Sequence, residues 1–318
     1  MVEEIAKIKR PVIADSADTL VLYCNQYSYY CQKVIWALNV KEIKFIKYEV
    51  DVANDEHFSE WFLELNPRGE LPVLQNGSLI VPGSIRILEY LDKNFSNEKS
   101  LQIPNNADRK LTDLKNTLDK IPIGVITMGS FLHPKAVVSP KSPFVQPVRY
   151  TILERDETMS NRLRTYAKSY PAFGDVLQKK ADFHDRKREI LASEQYYRKL
   201  LDGLDDFLGE VQQYLAKVDL DQGWITGERF TLLDLGLGCL LYRMYVLGLE
   251  DRFWTGGKKP ELHKYFEKIM SSDSFQTTLP TKTTLLKTIW LNTPSTYKAG
   301  IAAFSFSSMI IGSTLLKR

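Results

Sequence analysis

Residues 23–34, with the sequence YCNQYSYYCQKV, place two thiols and a serine hydroxyl between an apolar run and a helical pattern. The apolar run 19–23 predicts a buried strand, and the apolar spacing in 33–38 predicts a helix that begins near Tyr29. A helix N-terminus carries free N–H groups and a partial positive charge, so it favours the anionic form of a hydroxyl or thiol. Ser28 is therefore a candidate catalytic hydroxyl. The alternative is that it only caps the helix, which contributes about 1 kcal/mol.

Cys31 stands in the first turn of the same predicted helix and is a candidate redox residue. The helix N-terminus is expected to lower its thiol pKa from about 8.5 into the range of about 3.5–7.5. One hypothesis is therefore a thiol-redox protein in which Cys31 forms a mixed disulfide. Since the chain has three cysteines in all, no disulfide framework is implied and a reducing compartment is favoured.

Two further segments of the first 95 residues could approach a ligand. Pro72 stands at the entry to a strand in RGELPVL, where a cis peptide would present the backbone of Leu71 to a ligand amide. Ser84 follows Gly83 after a predicted hairpin and begins a helix, whose N-terminus suits a carboxylate. As with Ser28, the alternative for Ser84 is a capping role.

The composition excludes several classes of protein. A length of 318 residues with 44% apolar and 25% charged residues is typical of a folded chain of two domains. A net charge of +3 gives no support for nucleic-acid binding, which would need a concentrated basic face. The four histidines are scattered at no metal-ligand spacing, so we expect no protein-bound metal.

The order of the predicted elements divides the chain. Strand, helix, strand, helix, hairpin and helix fall within 19–95, after a polar N-terminal extension, 1–18; this order predicts a compact α/β domain. Residues 96–107 are polar and predict a linker. The pattern over 108–282 predicts a series of consecutive helices. A highly charged insertion, 149–199, lies within the helical part. It is either a solvated helix face or a docking surface for a protein partner or lipid headgroups.

The second half of the chain contains a clear sequence signal for a helix N-terminus. Thr231 and Asp234 have the spacing of a capping box, in which each residue satisfies backbone N–H groups at the helix start. The apolar run that follows predicts a buried central helix. Gly236 and Gly238 would destabilise that helix unless another backbone packs against them.

The C-terminus predicts a membrane anchor. After a linker, 283–298, residues 299–316 contain no charge and are flanked by Lys298 on one side and by Lys317 and Arg318 on the other. As a helix this stretch would be about 27 Å long, close to the thickness of a hydrocarbon core. The alternative is a buried C-terminal helix of the folded domain.

These motifs together resemble the glutathione transferase superfamily over about 20–279. The expected fold class is α+β, with a thioredoxin-like N-terminal domain, an all-helical C-terminal domain and a C-terminal transmembrane helix. Within that superfamily, SYYCQKV, HFSEWFLELNPRGELPVL, GSFLHP, WTGGKKPEL and the basic-flanked tail resemble the ganglioside-induced differentiation-associated protein 1 family.

The resemblance implies a protein of the mitochondrial outer membrane whose bulk faces the cytosol and which regulates mitochondrial fission and network dynamics. It implies glutathione as the ligand, with weak or lost conjugation. Superfamily dimers bury the first domain of one chain on the second domain of the other. A homodimer is therefore expected unless the insertion blocks that mode, and protein partners would dock on 149–199.

By position, the resemblance assigns Ser28 to the catalytic place and Leu71-Pro72 to the contact with the cysteinyl backbone of glutathione. It assigns Ser84 to the γ-glutamyl carboxylate. An active glutathione S-transferase, with Ser28 activating the glutathione thiol, is the alternative function.

Two departures from the superfamily pattern weigh against an active enzyme. Gly83 replaces the usual acidic or amide residue, so a side-chain contact to glutathione is missing. Tyr29 follows Ser28 where many relatives have proline, and its bulk is expected to crowd the thiol pocket.

Overall fold

The computed structural model describes residues 20–95, 100–294 and 297–298. They form an α/β domain followed by a helical domain. The predicted N-terminal extension, 1–18, lies outside the described residues.

The first domain is a mixed four-stranded sheet with three helices. Its elements are β1 (Leu20–Cys24), α1 (Tyr29–Val40), β2 (Phe45–Glu49), α2 (Glu60–Leu65), β3 (Val73–Asn76), β4 (Leu79–Pro82) and α3 (Ser84–Asn94). The strand order is β2-β1-β3-β4, with β1 parallel to β2 and antiparallel to β3, which forms a hairpin with β4. Strand β1 therefore lies inside the sheet. All five of its residues are buried, which explains its unbroken apolar sequence.

The register of the sheet brings the candidate site residues to one edge. Tyr23 in β1 pairs with Val73 in β3, so the end of β1, which leads to Ser28, lies beside the start of β3, which follows Pro72. The peptide between Leu71 and Pro72 is cis.

Within the described residues 100–294 and 297–298, the second domain contains helices and no strand. They are α4 (Arg109–Lys120), α5 (Ile123–Leu132), α6 (Gln146–Ser169), α7 (Gly174–Leu191), α8 (Glu194–Leu215), α9 (Leu232–Leu247), α10 (Glu250–Phe253), α11 (Pro260–Ser271), α12 (Asp273–Gln276) and α13 (Lys282–Asn292). The charged insertion, 149–199, forms most of the hairpin of α6 and α7. Helix α13 lies in the stretch from which the sequence predicts a linker, 283–298.

The predicted capping box starts α9 and is buried. Asp234 is 0% exposed, and its carboxylate accepts the N–H of Thr231 at 2.9 Å, the N–H of Ile225 at 2.9 Å and the hydroxyl of Tyr265 at 2.6 Å. One carboxylate thus joins the helix start to the preceding loop and to α11.

Helix α9 packs closely on the first domain. A Cβ at Gly238 would lie 2.6 Å from the ring of Trp36 in α1, and one at Gly236 would lie 2.8 Å from the side chain of Leu118 in α4. The neighbours are side chains, rather than the backbone that the sequence suggests. The two glycines therefore allow α9 to contact the helices on either side, and one hydrophobic core continues across both domains.

Replacing Gly238, which packs against Trp36, is expected to weaken the packing between the two domains. Gly238→Ala should lower the free energy of unfolding by about 1–3 kcal/mol, because overpacking displaces a buried indole. Gly209→Ala in α8 is the matched control: its Cβ would meet nothing within 4 Å, so it should stabilise the helix by about 0.5–1 kcal/mol. Urea denaturation of both variants measures the two changes, and equal effects would contradict this packing.

The predicted transmembrane helix requires a correction. Within residues 20–95, 100–294 and 297–298, none of the helices combines the length and the apolar character that crossing a bilayer requires. Helix α13, with 11 residues, would extend over about 16 Å against the roughly 30 Å of a hydrocarbon core, and it carries Lys282 and Lys287. The fold class is thus corrected, for the described residues, to the two-domain fold without a spanning helix, and the segment from which we predicted the span, 299–316, lies outside them.

Candidate functional site

A cavity of about 1010 Å³ lies beside the start of α1, where the first domain meets α5 and the hairpin of α6 and α7. This volume is ample for a small organic ligand. The first domain contributes to its wall Tyr27, Ser28, Tyr29, Tyr30, His57, Phe58, Arg68 and Glu70. Both the predicted catalytic residue and the charged insertion therefore border one cavity.

Ser28 occupies the N-cap position of α1, but its side chain makes no capping hydrogen bond. The capping alternative of the sequence analysis thus explains its backbone position and not its hydroxyl. The residue is partly exposed and lines the cavity. Its side chain hydrogen-bonds the thiol of Cys31, so a ligand in the cavity would compete with that contact for the hydroxyl.

Cys31 faces the protein interior. The residue is 0% exposed, and its sulfur accepts the N–H of Asn25 at 3.4 Å. Burial raises the pKa of the Cys31 thiol to about 12, against the smaller lowering effect of the hydrogen bonds from Asn25 and Ser28. The expected lowering by the helix N-terminus is therefore reversed, because desolvation of the thiolate outweighs the helix dipole.

The residues predicted to hold glutathione lie together at the start of β3 and of α3. Gly83 donates its N–H to the carbonyl of Pro72 at 2.9 Å, and Ser84 is the first residue of α3, 7% exposed. Gly83, rather than Ser84, is the N-cap, with φ +89°. Among the described residues that line the cavity, none of Leu71, Pro72, Gly83 and Ser84 occurs.

The two tyrosines that follow Ser28 take different directions. Tyr29 is 5% exposed, and its hydroxyl donates to the carbonyl of Gly236 in α9 at 3.4 Å. Tyr30 is 43% exposed at the cavity. On the other side of Ser28, the hydroxyl of Tyr27 donates to Thr288 of α13 at 2.7 Å. The bulk near Ser28 thus comes from Tyr27 and Tyr30 as well as from Tyr29.

The charged insertion folds back on the first domain. Asp55 is 6% exposed and accepts hydrogen bonds from Arg155 at 3.4 Å, from Tyr166 at 3.2 Å and from Arg162. In α7, Lys180 donates to the carbonyl of Arg68 at 2.6 Å. These contacts hold the hairpin against Asp55 and Arg68 of the first domain, so part of the charge of the insertion is paired within the chain.

A buried polar cluster in the hairpin was not predicted from the sequence. His184 contacts Asp156 at 2.9 Å through Nε2 and Ser160 at 3.0 Å through Nδ1, while Arg188 pairs with Asp156 at 3.1 Å. Ser160 also donates to Asp185, so its hydroxyl is not free to act as a nucleophile. The available signal was the four-residue spacing of Asp156 and Ser160, and of His184 and Arg188, which places each pair on one helix face.

His57, in the cavity wall, gives a pH-dependent prediction. Its Nδ1 is buried without a hydrogen-bond partner, and burial, followed by the charges of Lys180, Arg162 and Arg155, lowers the pKa of His57 to about 3. Below pH 6.5 the unfolded chain binds a proton that the folded chain does not. Between pH 7 and pH 5 the free energy of unfolding should therefore fall by about 2 kcal/mol from this residue.

Urea denaturation at several pH values checks this dependence. His57→Gln should remove that part of the slope, whereas His263→Gln, at an exposed histidine, should keep it. The same slope in wild type and His57→Gln would contradict the buried neutral imidazole.

Within the part of the chain that the structure describes, no group of three or more His, Cys, Asp or Glu side chains could hold a metal ion. Beside Ser28 the cavity wall carries aromatic rings and the cations of α7 and α9.

Comparison with known proteins assigns the two domains. The family described as "Glutathione S-transferase, N-terminal domain" matches residues 27–94, and "Glutathione S-transferase, C-terminal domain" matches residues 194–268. The human protein "Ganglioside-induced differentiation-associated protein 1-like 1" is 25% identical over 313 residues, which cover 93% of this chain and 83% of that protein.

Solved structures show the same fold. The beta-etherase LigF of a Sphingobium species superposes with a TM-score of 0.61 at 17% identity, covering 82% of this chain and 98% of that chain. Ure2p in complex with glutathione superposes with a TM-score of 0.53 at 15% identity, covering 83% and 94%. The two-domain fold predicted from the sequence is confirmed. Over 93% of its length this chain is similar to a ganglioside-induced differentiation-associated protein 1-like protein, and residues 27–94 and 194–268 match glutathione S-transferase domains, as its motifs predict.

Proposed function

We propose that this protein is a glutathione-transferase-like regulator of mitochondrial fission and network shape, in which glutathione conjugation is weak or lost and the cavity beside Ser28 binds a small ligand. The relation to the ganglioside-induced differentiation-associated protein 1 family supports the cellular part of the proposal. One observation carries the chemical part: Ser28 lines a cavity whose wall is otherwise formed mainly by apolar and aromatic side chains and by the cations of α7 and α9.

Efficient conjugation requires that the whole of glutathione is held in position. A transferase hydroxyl lowers the thiol pKa of glutathione by donating a hydrogen bond to the thiolate. That bond accelerates the reaction only if the rest of the tripeptide is held in place. Gly83 has no side chain to contribute to this hold. The cations of α7 line the same cavity as Ser28, and the alternative of an active transferase is not favoured.

Calorimetric titration of the full chain with glutathione tests the chemical part. We expect no saturable binding below millimolar glutathione, and the same heats from Ser28→Ala. Ser271→Ala, at an exposed hydroxyl, is the matched control. Micromolar binding that is weakened in Ser28→Ala and not in Ser271→Ala would overturn the proposal in favour of the transferase.

The cellular part concerns association with the cytosolic face of the mitochondrial outer membrane. The full chain carrying a fluorescent reporter at its N-terminus should locate to mitochondria, and raising its level should fragment the network. A diffuse signal, or a network that is unchanged at any level of the protein, would contradict this part.

A further inference from the structure

Arg243, in α9, is a buried cation in the cavity wall. It is 5% exposed, its guanidinium stacks 5.1 Å from the ring centroid of Phe144, and one of its amino groups donates to the carbonyl of Tyr27. Its Nε has no hydrogen-bond partner, and no carboxylate of the described residues pairs with it. A buried charge without a counter-ion is destabilising, so this arrangement favours a bound anion.

The rest of the cavity is also positively charged. The charged groups in the described part of its wall are Arg68, Lys179, Lys180, Lys187, Arg243, Glu70 and Asp156. Both carboxylates are already paired: Glu70 with Arg68 at 3.1 Å, and Asp156 with Arg188 at 3.1 Å. The wall therefore offers no free carboxylate to balance Arg243.

Burial lowers the pKa of three of these cations. It lowers the pKa of Arg243 to about 10 and shifts the pKa values of Lys180 and Lys187 downward. In each case the cause is desolvation without enough negative charge nearby. An anion in the cavity would stabilise the charged form of all three cations.

The remaining wall is apolar and partly aromatic. Its apolar side chains include Tyr30, Phe58, Ile123, Met128, Leu163 and Phe183. Such a lining accepts a flat hydrophobic body, with a few polar groups fixing its orientation. The occupant that fits both features has an apolar ring system and one acid group.

We propose that the cavity binds an aromatic carboxylate whose acid group pairs with Arg243 beside Ser28 and whose ring lies against the apolar wall formed with α5, α6 and α7. An aromatic carboxylate is thus the ligand class for the cavity beside Ser28. This inference depends on the proposed function in one respect, namely that the cavity is a ligand site. Binding is measured without glutathione or an electrophile, so the conjugation question is decided separately.

Titration of the full chain with three ligands of one shape tests the proposal. The probes are 1-naphthoate, the neutral 1-naphthamide and the cationic 1-naphthylmethylammonium, followed by calorimetry at neutral pH and constant salt. Naphthoate should bind at least tenfold more tightly than the amide, equivalent to about 1.4 kcal/mol, and the ammonium should bind weakest. Equal affinities, or tighter binding of the ammonium, overturn the proposal.

Variants locate the acid group. Arg243→Gln should reduce the affinity for naphthoate at least tenfold and leave that for the amide within twofold, while Arg243→Lys should keep most of the preference. Lys199→Gln, at an exposed lysine of α8 outside the cavity, should change neither affinity. An unchanged preference in a folded Arg243→Gln overturns the assignment, and the ligand series alone decides if that variant does not fold.

Discussion

Replacing Asp234 by alanine should lower the free energy of unfolding by about 3–5 kcal/mol. Its carboxylate accepts four hydrogen bonds, from the N–H groups of Ile225 and Thr231 and from the hydroxyls of Thr231 and Tyr265. All three partner residues are buried there, so water does not replace the lost acceptor. Each donor left unpaired costs about 1–3 kcal/mol, although relaxation reduces the sum.

Urea denaturation followed by circular dichroism measures this loss. Asp206→Ala is the matched control, because Asp206 lies exposed on α8 and its removal should change the stability by less than about 0.5 kcal/mol. A loss below about 1 kcal/mol in Asp234→Ala would show that the capping box does not hold α9 to α11.

Arg149→Met should lower the free energy of unfolding by about 2–4 kcal/mol. Arg149, near the start of α6, is 3% exposed. Its guanidinium donates to the carbonyls of Phe144 at 2.6 Å, Leu247 at 2.7 Å and Ser130 at 3.4 Å. These bonds connect the hairpin of α6 and α7, which forms part of the cavity wall, to α5 and α9. Without them three carbonyls lose a donor, each at about 0.5–1.5 kcal/mol or more.

The matched control is Arg186→Met, at an exposed arginine of α7, which removes the same charge and should leave stability nearly unchanged. Equal effects of the two substitutions in urea denaturation would mean that Arg149 acts only through its charge. The three carbonyl bonds would then carry none of the stability.

Features set by local chemistry were predictable from the sequence. The capping spacing of Thr231 and Asp234 starts a helix wherever it stands before an apolar run, and α9 begins there. The alternation around Asn76 and Gly77 predicts the hairpin of β3 and β4, and Gly77 has φ +58°, which glycine adopts without strain.

Features that depend on distant contacts were not predictable. The lysine-rich face of α7 was interpreted as solvated or as a docking surface, but Lys180 and Lys187 line the cavity. The partners of Asp55 lie about a hundred residues away in α6, and no periodicity in the sequence indicates such a pairing. The reversal at Cys31 has the same origin, because burial is a property of the whole fold and the helix dipole is a local one.

The candidate site was predicted in part. Ser28 was identified at the start of α1, and the structure gives its hydroxyl a cavity. The buried charge of Arg243 was missed, although an arginine inside an apolar run that predicts a buried helix was the available signal. The roles assigned to Leu71, Pro72, Gly83 and Ser84 stay predictions.

Turnover of an aryl halide with glutathione by the full chain, compared between wild type and Ser28→Ala, decides whether Ser28 activates the glutathione thiol. Both proteins should give a rate close to that of the uncatalysed reaction and within twofold of each other. A wild-type rate far above the uncatalysed one that drops at least tenfold in Ser28→Ala would contradict the central claim, because Ser28 would then activate the glutathione thiol.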